Sequence, residues 1–226
     1  MRRIFIFFAT LLISFSVSAA GLDAISNRDA VSGLKQALTD GSAAAVSLLG
    51  AENGFLGNAK VKIPLPPAIQ QVEGVLRLMG RQQQADELVT SMNRAAEAAV
   101  PQAKALLVDA VKKMSVQDAK GILTGGDTAA TDYFRRTTEG QLTQRFLPIV
   151  KKTTDRVGLS QQYNSLAGQG VSFGLVSQDE ATVENYVTKK ALDGLYLMIA
   201  EQEKKFRQNP MEAASGIVQK VFSALR

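Results

Sequence analysis

One stretch of the chain, residues 54–67, cannot form a regular helix, although almost everything around it can. It reads Gly-Phe-Leu-Gly-Asn-Ala-Lys-Val-Lys-Ile-Pro-Leu-Pro-Pro, and its prolines and glycines disfavour helical geometry. Val61 and Ile63 alternate with Lys60 and Lys62, which is the side-chain period of an extended strand. We therefore expect an extended strap, the name kept below for residues 54–67. Val61 and Ile63 should anchor it in a core, and the two lysines should face solvent or carboxylates.

Helical periodicity on both sides of the strap predicts an all-α fold, a single domain of about eight to ten helices. Apolar residues recur at helical spacing in every predicted segment, and glycines or prolines separate most of the segments. The predicted helical segments are 22–39, 42–50, 66–80, 82–114, 115–123, 128–137, 139–157, 160–167, 178–207 and 210–225.

Local signals predict where these helices begin and end. Gly41 is expected to end the first helix, and Pro101 is expected to kink or split the segment over 82–114. Residues 115–118 and 177–180 match capping boxes, and Asp127 is expected to cap the helix over 128–137.

Residues 1–20 have the three parts of a secretory signal peptide. Arg2 and Arg3 form a basic start, residues 4–17 are apolar apart from Ser and Thr, and residues 18–20 are small. Cleavage fits equally well after Ala19 or after Ala20, so we expect a signal peptide over 1–19 and one helical domain over 20–226. The apolar run is shorter than the roughly 20 residues of a transmembrane helix. This favours export to the periplasm over a membrane anchor.

Composition excludes several chemistries. The chain has no His and no Cys, so imidazole general bases, thiolate nucleophiles, Ser-His triads and the common zinc sites are impossible. Without Arg2 and Arg3, 24 basic side chains remain against 21 acidic ones, a formal charge of +3. That balance is too mild to favour a nucleic-acid partner. We expect no cofactor, no metal and no membrane-spanning helix in the mature chain.

Two local patterns occur in the functional sites of other proteins, but each has a simpler structural interpretation here. Ser32 and Lys35 have the S-x-x-K spacing of serine–lysine acyl enzymes, but the chain lacks the companion S-D-N and K-T-G motifs, so we interpret them as part of the first helix. Adjacent basic residues on a helix point about 100° apart. Such pairs therefore fit solvated faces, unless several of them converge on an anionic partner such as lipid head groups. The pairs are Lys112-Lys113, Arg135-Arg136, Lys151-Lys152, Lys189-Lys190 and Lys204-Lys205.

Eight short blocks, in order along the chain, resemble one bacterial family of exported proteins, DUF4197. The blocks are 33–38, 54–58, 61–66, 92–97, 130–134, 148–150, 191–195 and 207–210. The resemblance covers essentially the whole mature chain. It implies a single exported helical domain, and it brings no catalytic residue and no ligand with it.

Nine polar residues in or next to these blocks stand beside apolar residues that should be buried. One interpretation is that they satisfy the backbone of the strap and cap helices, because a non-helical segment inside a helical domain leaves many amides in need of partners. The other is that some of them line a polar pocket near the strap. The nine are Asn58, Lys62, Asn93, Arg94, Glu97, Thr131, Asp132, Arg135 and Arg207.

The leading functional hypothesis is a non-enzymatic periplasmic protein that binds an apolar ligand, a lipid or an envelope protein. An apolar cavity between helices is the natural site for such a ligand. A first alternative is a carboxylate-dependent hydrolase of cell-envelope glycan, which needs two carboxylates roughly 5–10 Å apart in one cleft. A second alternative is an oligomeric structural protein of the envelope.

Overall fold

Helices account for the regular structure of the protein in the computed structural model. The described residues are 26–67, 69, 70, 73, 78–158, 160–164, 181–213 and 215–223. Within them the chain is all-α, as predicted, and contains no strand. The α-helices are α1 Asn27–Gly50, α2 Gln82–Ala99, α3 Ala103–Lys113, α4 Val116–Thr124, α5 Ala129–Thr154, α6 Val183–Gln208 and α7 Gly216–Ser223, and two 3-10 helices span Val100–Gln102 and Pro210–Glu212.

Several predictions fall wholly or partly outside this part of the chain. The signal peptide and the capping box over 177–180 lie outside the described residues. The predicted helices over 66–80 and 160–167 are described in part. Residues 67, 69, 70, 73 and 78 of the first, and residues 160–164 of the second, are helical.

The predicted break at Gly41 is wrong, because α1 continues through it to Gly50. Gly41 is buried where α6 approaches α1: a Cβ on Gly41 would lie 3.1 Å from the Phe206 ring. Ser42 does not cap a second helix, and its hydroxyl donates instead to the carbonyl of Thr39 inside α1. The glycine at this position allows a close contact between α1 and α6, and it does not end a helix.

Two of the local signals are confirmed. Pro101 splits the segment over 82–114 into α2 and α3, which are joined by the 3-10 helix Val100–Gln102. Ser115 caps α4 with a full capping box, in which its hydroxyl accepts from Asp118 N and the Asp118 carboxylate accepts from Ser115 N.

Three helix boundaries differ from the prediction. The segments over 128–137 and 139–157 form one helix, α5, with Pro148 inside it, and its N-cap is Thr128 instead of Asp127. The helix α6 begins at Val183, where the Thr182 hydroxyl accepts from Asn185 N. The last helix is interrupted, because Pro210 starts only a 3-10 turn before α7 begins.

The long helices α5 and α6 pack against each other at the centre of the fold. The helix α2 packs against α5, and α1 contacts α6, α7 and α3. The strap runs next to α2 and α6, and it is less extended than predicted. Residues 54–57 and 59–61 form turns, and residues 58 and 62–66 have no regular structure. The predicted alternation is confirmed there, because Val61, Ile63 and Leu65 are buried while Lys62 and Pro64 are exposed.

Gly194 on α6 allows the strap to lie this close. A Cβ on Gly194 would lie 2.8 Å from Phe55 Cε1 and 3.3 Å from Val61 Cβ, and the Phe55 side chain is fully buried. Gly54 is constrained by backbone in the same way, because its Cβ would lie 2.4 Å from the Leu48 carbonyl oxygen. Both glycines therefore stand where any larger side chain would displace the strap.

Candidate functional site

Asn93 on α2 pairs with the backbone of the strap through both ends of its side-chain amide. Its Oδ1 accepts from Ile63 N at 2.8 Å, and its Nδ2 donates to the Ile63 carbonyl at 2.9 Å and to the Val89 carbonyl at 2.8 Å. Asn93 and Ile63 are both buried. The amide thus replaces the hydrogen bonds that a neighbouring strand would have made with Ile63.

Glu97, one turn further along α2, holds the turns at the start of the strap. Its Oε1 accepts from the backbone N–H groups of Phe55 and Leu56 at 3.0 and 3.1 Å, and its Oε2 accepts from Arg94 at 2.6 Å. Burial alone would raise the pKa of Glu97. The hydrogen bonds from Leu56, Arg94 and Phe55 nevertheless lower its pKa below the ordinary value. Glu97 is therefore an ionised structural acceptor at neutral pH.

The remaining polar residues of the strap differ in role. Asn58 closes an Asx turn, with its Oδ1 accepting from Lys60 N at 3.1 Å. Lys60 forms an ion pair with Glu201 of α6, at 2.5 Å. Lys62 is exposed. At the far end, the Tyr186 hydroxyl donates to the carbonyl of Pro64, which satisfies another strap acceptor.

A second buried carboxylate, Glu203 of α6, satisfies the start of α5. Its two oxygens accept from the backbone N–H groups of Ala130 and Thr131, each at 3.0 Å, and from the Thr131 hydroxyl. Arg207, one turn later on α6, donates to Glu203 at 2.9 Å and to the Ile122 carbonyl at 2.8 Å. A carboxylate from another helix thus caps α5, at the end where the helix dipole favours negative charge.

Sequence reasoning missed Glu203 as a capping group and assigned the cap of α5 to Asp127. The signal was the i, i+4 spacing of Glu203 and Arg207, which places the two on one face of a helix. That spacing predicts an ion pair between Glu203 and Arg207. No local sequence signal predicts that this pair contacts the first turn of α5, 72 residues earlier in the chain.

The last two of the nine residues lie on other parts of α5. Asp132 is exposed and accepts from the Thr128 hydroxyl. Arg135 lies over the Tyr196 ring, 4.6 Å from its centroid, and contacts Asp193 at 3.3 Å. Burial raises the pKa of Tyr196 to about 12, so its hydroxyl stays protonated and is no general base at neutral pH.

The nine residues do not form one cluster. The strap contains Asn58 and Lys62, Asn93 and Glu97 bind its backbone from α2, and Arg94 binds Glu97. Thr131 and Arg207 meet at Glu203, and Asp132 and Arg135 make other contacts from α5. The contacts around Asn93, Glu97 and Glu203 are all internal to the fold. Among the described residues, the buried hydroxyls of Ser160 and Thr188 lack a hydrogen-bond partner.

An open groove lies between α1, α3 and α4, with a volume of about 660 Å³. Its apolar residues include Val31 of α1, Val111 of α3 and Val116 of α4. Its basic residues are Arg28, Lys35 and Lys112, and no carboxylate is among the described residues that line it. We refer to it below as the α1–α3–α4 groove, defined by these six residues.

The two members of a basic pair do not both line this groove. Lys112 lines the groove, but its neighbour Lys113 lines a separate cleft of about 340 Å³ between α3 and α5, together with Arg136, Asp109 and Asp118. That cleft holds two carboxylates, as a glycan hydrolase would require. However, hydrogen bonds from the Ser115 hydroxyl and amide lower the pKa of Asp118, which makes Asp118 a poor proton donor.

Among the residues that the structure describes, no group of three or more Asp and Glu residues is placed to hold a metal ion. No described helix combines the length and the apolar character needed to cross a membrane.

The fold and its internal polar contacts define a class of protein: an all-helical domain in which two buried glutamates and one asparagine tie a proline-bearing strap and a helix start to the core. The chain belongs to the DUF4197 family. The family model, described as a protein of unknown function, matches residues 24–223 and confirms the resemblance seen in the sequence. No curated protein and no solved structure matches the chain.

Proposed function

We propose that this protein is an exported, non-enzymatic binding module and that its ligand site is the α1–α3–α4 groove. Export to the periplasm is supported by residues 1–20, which have the basic start, apolar run and small residues of a signal peptide. The binding role is supported by the groove, and the absence of His and Cys from the sequence supports a role without catalysis.

The observation that supports the proposal is the volume and the residue composition of the groove. Its volume of about 660 Å³ falls within the roughly 300–1,000 Å³ of small-molecule sites. Val116, in the first turn of α4, is 57% exposed and contributes apolar surface to the groove. A concave site that combines apolar side chains with a few charged groups is typical of a ligand-binding site.

The deeply buried ionisable groups do not offer a competing site. Glu97 and Glu203 each accept two backbone N–H groups and an arginine, so their oxygens are engaged inside the fold. A substrate could reach them only after the strap or the start of α5 had moved. We therefore assign them to stability and not to chemistry.

Export is tested by producing residues 1–226 in a bacterial host and fractionating the cells. The expected result is a periplasmic protein whose N-terminus, measured by mass spectrometry, follows Ala19 or Ala20. A full-length chain that stays in the cytoplasmic fraction would contradict export.

Binding is tested by native mass spectrometry of the purified protein, followed by lipid extraction. We expect a copurifying small amphiphile that is lost in Val116→Glu. Because Val116 is exposed and lies in the first turn of α4, an acidic residue there suits the helix dipole and should preserve the fold. Met211→Glu is the matched control, since Met211 is exposed and lies outside the groove.

The same preparation tests the alternatives. A protein that carries no ligand and assembles into stable oligomers in light scattering would favour the structural envelope protein. Release of sugars from purified cell-wall glycan, abolished by Asp109→Asn, would favour the hydrolase.

A further inference from the structure

We propose that the ligand of the α1–α3–α4 groove is a single-chain anionic amphiphile, a lysophospholipid or fatty acid whose head group is a phosphate or carboxylate. This inference rests on the proposed binding function and names the class of ligand. The argument uses the charge of the groove, its apolar part and its size.

The described residues that line the groove give it a positive charge. Within the described residues, no carboxylate comes within ion-pair distance of Arg28 or Lys35, and the nearest partner of Lys112 is Asp109 at 3.9 Å. Lys35 Nζ also donates to the Lys112 carbonyl at 3.3 Å, which places the side chain of Lys35 across the groove toward the end of α3. These cations favour an anionic head group.

The apolar part of the groove suits a hydrocarbon chain. Val31, Val111 and Val116 come from three different helices and contribute apolar surface to one space. A free phosphate or a sugar would leave this surface in contact with water. An acyl chain would cover it and remove it from water.

The size of the groove favours an amphiphile over a protein. A stable protein interface uses roughly 20–30 residues on each side, whereas the groove is lined by ten described residues. The all-α structure also offers no strand edge to an extended peptide in the described residues. A single acyl chain with a charged head matches both the size and the chemistry.

The test compares two probes, lysophosphatidylglycerol and lysophosphatidylcholine, with the same acyl chain and both below their critical micelle concentrations. The first carries a net negative charge, and the second has no net charge. We expect calorimetric titration of the mature protein to give at least about tenfold tighter binding of lysophosphatidylglycerol, since each of the three nearby cations favours an anionic lipid. The difference should shrink as salt is raised from 50 to 500 mM.

Variants connect this difference to the groove. The triple variant Arg28→Gln, Lys35→Gln, Lys112→Gln should bind both probes equally, with the affinity of the wild type for lysophosphatidylcholine. Val116→Glu should weaken the binding of both probes. Circular dichroism of each variant establishes that it is folded.

A matched triple variant controls for net charge. Lys104→Gln, Lys152→Gln and Lys204→Gln remove the same number of positive charges from exposed helix positions outside the groove. This protein should keep the tenfold preference of the wild type. Loss of the preference in both triple variants would mean that overall charge is responsible, and would overturn the assignment of the head group to the groove.

Two other outcomes separate this inference from the proposed function. Equal binding of both probes by the wild type, with weaker binding in Val116→Glu, would overturn the anionic head group and leave the binding function standing. Binding of neither probe, or no effect of Val116→Glu, would overturn both proposals.

Discussion

Asn93 should hold the strap in place, and replacing it with Ala should release this segment. The substitution leaves the buried N–H and carbonyl of Ile63 without partners. Each unsatisfied group costs about 1–3 kcal/mol, so the loss for the two groups should be about 2–6 kcal/mol. Domains of this kind are stable by roughly 5–15 kcal/mol. A single amide should therefore account for a large share of the free energy of unfolding.

Urea unfolding followed by circular dichroism measures the loss. With an m value of about 2–3 kcal/mol/M, the midpoint should fall by roughly 1–2 M. The matched control is Asn27→Ala, the same substitution at an exposed position, which should change stability by no more than about 0.5 kcal/mol.

Limited trypsin digestion locates the effect in the strap. Lys60 and Lys62 are exposed strap residues, and cleavage after them requires the local backbone to leave the core. Asn93→Ala should be cut at these lysines much faster than the wild type, and Asn27→Ala should not. An unchanged midpoint together with unchanged cleavage at the strap would refute the role of Asn93.

Asn93→Asp provides a pH-dependent version of the same test. The new carboxylate would face the carbonyls of Ile63 and Val89, so its pKa in the folded state should lie above the roughly 3.9 of the unfolded chain. A group with a raised folded pKa contributes stability below its unfolded pKa and loses it as the pH rises. The variant should therefore lie closer to the wild type near pH 4 than at pH 7.

Three further substitutions test the other internal contacts. Because the folded pKa of Glu97 is lowered from 4.5, the ionised carboxylate stabilises the fold at neutral pH. The stability advantage over Glu97→Gln should therefore be full at pH 7 and should disappear as the pH falls through that lowered value, which urea midpoints across pH 3–7 would show. Gly194→Ala should cost about 1–3 kcal/mol through its clash with Phe55, and Phe55→Leu in the same chain should recover part of it in a double-mutant cycle. Glu203→Ala should cost about 3–5 kcal/mol, because it leaves Arg207 and the start of α5 without their acceptor, and a thermal midpoint equal to that of the wild type would contradict this.

Predictions of helix boundaries from local sequence signals are confirmed where the physical cause is local. Pro101 lacks the amide hydrogen that a continuous helix would use, and it interrupts the segment over 82–114, whereas α5 accommodates Pro148 without a break. Ser115 and Asp118 form their capping box within four residues. Gly41 and Asp127 failed because their outcomes depend on partners far along the chain, Phe206 and Glu203 respectively.

The candidate residues show the same division. The sequence indicated that polar residues such as Asn93 and Glu97 must meet the unpaired backbone of a non-helical segment, because buried amides need partners. It could not indicate which amide each would meet. Likewise, the α1–α3–α4 groove was not predicted, since Arg28, Lys35 and Lys112 come together only when α1 packs beside α3.

The amino-acid sequence is sufficient to predict the helical class, the position of the non-helical strap and the absence of imidazole and thiol chemistry. These follow from periodicity, from proline and glycine geometry and from composition, none of which requires knowledge of distant contacts. Three features depend on the packing of the helices: Glu203 caps α5, Gly194 accommodates Phe55, and three cations border one apolar groove. Each of these depends on side chains brought together from distant positions, and helix packing, not local propensity, fixes which of them meet.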